Sequence, residues 1–264
     1  MSFLQRYLRG EHEQVWADLR ELGPSVRGEE VFEDAHGVAV ETMRRVRSNV
    51  EAVRRRLDDA GYRFKEPDRV HVPPPADAGD QLDNFEQRHG PLPLSLRAFY
   101  EVVGTVDFRQ SWEQLVGWNE RKRRAVPTEP IEYLGEYDPL MVEPLNCKRA
   151  AWQADFGKRS WFLAPDECHK ANYSGGDHYE VLLPDDSADF RIYGMVMSDQ
   201  SPFGEHFVEY LRETFRGGGF RGTVEVREGR LAGRSLPDLD IASRLADGLQ
   251  PLGVSNAQGR LFET

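Results

Sequence analysis

The stretch GPLPLSLRAFYEVVGTVDF, running from Gly90 to Phe108, decides how this chain is read. Pro91 and Pro93 disfavour helix before them and Ser95 can cap one. Leu96, Phe99, Tyr100 and Val103 then recur at the i, i+3, i+4, i+7 spacing of a single buried helical face. Gly104 supplies a helix stop, and Val106-Asp107-Phe108 returns to a period of two. The stretch therefore predicts a turn, a short buried helix, a glycine stop and a strand. It places no catalytic group, so it speaks to architecture before function.

Working outward, an apolar seam at Met43, Val46, Val50, Val53 and Leu57 predicts a helix that stops near Gly61. A partly regular pattern from Phe3 to Leu19, closed by Gly23-Pro24, predicts a helix before it, so residues 1–66 read as a helical hairpin extension. Val70 to Asp80 contains Pro73-Pro74-Pro75, a stiff strap assigned to residues 67–76. Residues 77–264 then read as an α+β body. It holds a helix at 78–89, strands at 131–134, 141–145, 161–164, 179–183 and 190–193, and an aromatic helix from Phe203 to Phe215. An edge strand at 223–227 and a helix within 238–249 follow. Short strands in succession with helices at each end predict antiparallel sheet rather than βαβ units.

Leu92-Pro93, Ser95-Leu96, Phe99-Tyr100 and Gly104 together resemble the signature of the SUKH superfamily, the Smi/Knr-type domains. Asp138-Pro139-Leu140 leading to Val142 and Pro144-Leu145 resembles the family's later strand exit, and the Phe203–Phe215 helix its closing helix, so the resemblance spans about residues 77–220. It implies an antiparallel sheet with packed helices and no catalytic centre. It also implies a protein-binding role, since bacterial members of that superfamily are commonly immunity proteins that neutralise toxins, often nucleases, and others are regulatory modules.

The composition is compatible with that role. The formal net charge is −11, and residues 1–66 hold 12 Lys and Arg against 13 Asp and Glu, while the remainder holds 22 against 32. An acidic body repels nucleic-acid phosphates and attracts basic proteins. By the resemblance, occlusion of a basic toxin would use Trp112 and Trp118 as aromatic anchors, with Glu136, Asp138, Asp185 and Asp186 as acidic contacts. A regulatory scaffold and a carboxylate-dependent hydrolase are the alternative classes.

Other chemistries fit the residues less well. Cys168-His169 and Asp177-His178 include zinc-ligand types, but adjacent Cys and His do not readily share one tetrahedral ion, and Cys147 is distant in sequence. Cys168 has no base placed for it by sequence. Gly217-Gly218-Gly219 follows a helix rather than a strand and lacks a phosphate-loop ending. The basic run Arg121 to Arg124 and the arginines of the 43–57 helix read as solvated faces. No metal, cofactor, nucleic-acid or membrane partner is expected. Two cysteines and the lack of an apolar leader make the cytoplasm the expected compartment.

Overall fold

The computed structural model describes residues 1–111, 134–145, 158–171, 178–194, 203–227, 230–237 and 239–253. Its longest element, helix α3 (Glu29–Asp59), follows α1 (Phe3–Leu8) and α2 (His12–Glu21). At 1.5 Å per residue α3 is about 46 Å long. The apolar seam at Met43, Val46, Val50, Val53 and Leu57 is fully buried, and it extends back through Ala35, Val38 and Ala39. The helix thus starts at Glu29, well before the first seam residue, because Ala35 to Thr42 continue the same face.

The first helix of the expected hairpin is two helices. Gly10 takes φ +100°, a left-handed conformation that ends α1 and lets the chain reverse. Leu4 lies against Gly37, whereas α2 returns antiparallel to α3, with Trp16 Nε1 donating to Thr42 Oγ1 at 3.2 Å and His12 beside Arg45 at 2.9 Å.

Helix α4 (Ala78–His89) and helix α5 (Leu94–Val102) follow the proline strap. Leu96, Phe99 and Val103 are fully buried and Tyr100 nearly so. Their main support is α3 rather than a sheet: α5 packs along α3, and His36 of α3 meets Glu101 at 3.1 Å. Phe99 also stacks edge-to-face on Phe207 at 5.5 Å. Ser95, expected as the cap, sits one residue inside the helix and is buried; the cap position is Pro93.

The class is α+β with antiparallel pairing, and the strands of the described residues divide into three sheets. The first joins β1 (His71–Val72), β2 (Thr105–Asp107) and β3 (Met141–Val142). The second joins β4 (Arg159–Pro165), β5 (His178–Leu183), β6 (Arg191–Tyr193) and β7 (Phe203–His206). The third is the hairpin of β8 (Thr223–Arg227) and β9 (Arg230–Ser235). One bond, Glu143 N to Leu163 O at 2.9 Å, carries the chain edge of the first sheet onto the second.

Phe203 to His206, expected as the first turn of the aromatic helix, is strand instead. Tyr193 pairs with Phe203 and Arg191 with His206, and the helix begins only at Phe207. An aromatic every four residues suits either state locally, and the available partner strand decides. After the one-turn helix α6 (Glu167–Lys170), this helix is α7 (Phe207–Arg216), and α8 is Leu239–Ala246. One buried apolar cluster runs from Tyr7 through α3, α5 and α7 to Leu252. Asn49 of α3 ties the segment after α8 down, donating to Gln250 O at 3.0 Å and accepting from Gln250 N at 2.7 Å.

Candidate functional site

The residues named from sequence divide into three groups. Trp112 and Trp118 lie outside the described residues, as do Arg121 to Arg124, Cys147 and the first three residues of the strand expected at 131–134. Asp138 is fully buried, which corrects its assignment as a partner contact. Glu136, Asp185 and Asp186 reach solvent: Glu136 and Asp186 are exposed and Asp185 is half-buried.

Asp138 is the centre of a sealed charge cluster. Its backbone holds φ +50°, and the segment around it pairs with the chain after α7: Arg221 N donates to Asp138 O at 3.1 Å and Leu140 N to Gly219 O at 2.9 Å. Lys170, the last residue of α6, donates to Asp138 Oδ1 at 2.6 Å, and Tyr179 of β5 donates to Oδ2 at 3.1 Å. Lys170 also reaches the Tyr210 hydroxyl at 3.2 Å, with its ammonium 4.8 Å from the Tyr179 ring centroid. Arg221 stands 3.8 Å from Asp138 Oδ2 and grips Glu205 at 2.5 Å.

Two cations thus balance two carboxylates, in a space that solvent touches only at Glu205. Burial by itself would lower the Lys170 pKa, but Asp138 and the hydrogen bonds outweigh it and the net direction is upward. Burial, and then Asp138, raise Tyr179; burial also raises Tyr210. A lysine held as ammonium is no nucleophile, and phenols held neutral are no bases. The cluster is a brace linking α6, β5 and α7, and its sequence signal is too weak to find: four charged residues scattered over some eighty positions.

Cys168 lies on the same helical turn. Its thiol pKa is raised by burial, then by Asp166, Glu167 and Asp138, the opposite of what activates a thiolate. Neighbouring His169 is held by Asp166, whose Oδ1 caps its backbone N–H and meets Nδ1, both at 2.8 Å. Asp189, close in sequence to Asp185-Asp186, is likewise buried. It accepts from Ser95 Oγ at 2.9 Å and from Arg20 at 3.0 Å, joining α2 to the start of α5.

Asp185 and Asp186 occupy the turn between β5 and β6, as their Pro-Asp-Asp-Ser composition predicts. The turn is rigidly mounted. Asp185 N donates to Pro91 O at 2.9 Å, Ser187 N to Asp185 Oδ1 at 3.0 Å, and Leu94 N to Ser187 O at 3.1 Å. Pro184 presses on Gly90, at the end of α4, so closely that a Cβ there would lie 2.4 Å from it. The carboxylates are therefore displayed at the C-terminal end of α4.

Along α4 itself runs an open groove of about 670 Å³. Its lining includes the strap Pro73-Pro74-Pro75, Leu82 and Phe85 of α4, Tyr100 of α5 and Leu145. Gly104 makes the groove possible. It holds φ +91°, and an added Cβ would fall 2.1 Å from Val72 O, so the strap passes directly over the helix stop. Local sequence signals point only to the helix stop at Gly104, because the strap that crosses it lies some thirty residues earlier in the chain.

Among the described residues no cluster of three or more His, Cys, Asp or Glu side chains is arranged to hold a metal ion, and no helix is long and apolar enough to cross a membrane. The chain matches no protein-family model, no curated protein and no solved structure.

Proposed function

We propose that the protein is a non-catalytic protein-binding module, an immunity-type inhibitor that occludes a basic toxin such as a nuclease. The carrying observation is the mounting of Asp185 and Asp186. The turn is fixed at both sides of Asp186, by Asp185 N to Pro91 O and by Leu94 N of α5 to Ser187 O, so a negative potential is presented in a set direction at little ordering cost on binding. Glu136 adds a further exposed carboxylate, and the excess of acidic residues after residue 66 extends the attraction. The resemblance of Leu92–Gly104 to the SUKH signature supports the immunity reading over a general scaffold. The thiol and lysine chemistry around Asp138 supports binding over turnover, because both groups are held in their unreactive forms.

The test starts from a pull-down in the native host, followed by association kinetics with the captured partner. The on-rate should fall as salt shortens the screening length from about 10 Å at 0.1 M to about 3 Å at 1 M. The double variant Asp185→Lys, Asp186→Lys should slow association further while leaving the circular-dichroism spectrum unchanged. An on-rate indifferent to salt and to charge reversal would refute electrostatic capture, and hydrolytic turnover by the pure protein would refute the binding role itself.

A further inference from the structure

The groove along α4 has the size and lining of a ligand site, and the protein-binding role above does not use it. Its 670 Å³ falls within the range of small-molecule pockets, and its walls are mainly proline, aliphatic and aromatic. Val72 is 42 % exposed, an apolar side chain left open to solvent at one end. Two arginines stand at the rim, Arg69 and Arg88. Arg69 is already paired with Glu143 at 3.0 Å. Arg88 is exposed, donates only its Nε to Asn84 O at 2.9 Å, and has no carboxylate partner among the described residues.

The backbone around the groove excludes one kind of occupant. β1 is an edge strand, but it continues into Pro73-Pro74-Pro75, three residues without an N–H. A peptide adding as a further strand would find no donors along that wall. Gln81 and Asn84, also on the lining, spend an amide donor on Asp77 and on Asp80 O, so Arg88 is the charged group the groove leaves open, set beside a mainly apolar wall, the complement of a molecule with an apolar body and a single anionic end.

We propose that the groove binds a small apolar carboxylate of the medium-chain fatty-acid type. Its chain lies over Val72, Leu82, Phe85 and Leu145, and its carboxylate meets Arg88. Gly104 is the residue that keeps the site open, by letting the proline strap cross where a side chain would collide.

The experiment is an amide NMR titration of the full chain with sodium octanoate, and in parallel with 1-octanol, which has the same chain length and no charge. Octanoate should give saturable shifts between about 0.1 and 1 mM, confined to Val72, residues 78–88, residues 100–105 and Leu145. 1-Octanol should bind the same residues about threefold more weakly or worse, and Arg88→Glu should weaken octanoate to a similar extent without affecting 1-octanol. Val72→Glu, placed at an exposed position so that folding is retained, should weaken octanoate as well. Shifts that do not saturate or map elsewhere would overturn the site. Equal affinity for the two probes, or an unchanged affinity in Arg88→Glu, would overturn the recognition of the carboxylate.

Discussion

Asp138 and the pair Asp185-Asp186 carry the same side chain in similar company, with Pro139 after the first and Pro184 before the pair, yet they have opposite fates. Asp138 is sealed between Lys170, Tyr179 and Arg221; Asp186 faces water, and Asp185 spends one oxygen on its own turn. The contrast shows how a buried charge becomes tolerable. Desolvation costs several kcal/mol per ion, and only a full set of counter-charges and hydrogen bonds offsets about that much. The turn carboxylates face no such demand, so they remain available to a partner.

Removing carboxylates one at a time, the buried ones first, tests this difference most strongly. Asp138→Ala leaves Lys170 and Arg221 without their shared counter-charge and should cost about 3 to 5 kcal/mol in urea unfolding. A loss below about 1 kcal/mol would mean the cluster is not the brace described. Asp189→Ala tests whether a second buried carboxylate behaves alike. It strips Ser95 and Arg20 of their acceptor and should cost about 2 to 3 kcal/mol, followed by the same urea titration.

Comparable in size is a pH effect near Asp189. His206 is shifted from 6.5 to about 4, by burial first and then by Arg20 and Arg191, with Asp189 opposing. The unfolded chain therefore takes up a proton between about pH 6.5 and 4 that the folded chain refuses, so this contribution is complete above pH 6.5 and drains away as pH falls toward 4. Stability measured across that window should decline, and His206→Gln should make the decline shallower. A slope unchanged by the substitution would show that His206 is solvated. Last, Asp185→Asn and Asp186→Asn should each alter unfolding free energy by about 0.5 kcal/mol or less, since Asn keeps the Oδ1 acceptor that half-buried Asp185 offers Ser187 N, and the exposed charge of Asp186 contributes little. A larger loss would bring the two acidic regions together and weaken the case for a partner-facing turn.

Periodic features are legible in the amino-acid sequence alone. Leu96, Phe99, Tyr100 and Val103 are buried as their spacing requires, and so is the Met43–Leu57 seam, because a helix converts sequence period directly into a face. The tight turn at Pro184–Ser187 is legible from its composition. What covers those faces is not. The family resemblance implies helices packed on a sheet, whereas α5 rests mainly on α3, and local pattern leads to helix at Phe203–His206, which is strand because β6 is there to pair with it.

The candidate site divides along the same line. That Asp185 and Asp186 are displayed on a turn follows from local chemistry, which acts over two or three residues. Their bracing against Pro91 and Leu94, the groove along α4 and the burial of Asp138 all depend on segments far apart in the chain. Sequence by itself determined which residues could form elements and which faces had to leave water. Tertiary structure alone decided which charges are neutralised and which remain open to solvent, because solvation and counter-charge depend on neighbours in space, and Asp138 meets Lys170 and Arg221 only after the chain has folded back on itself.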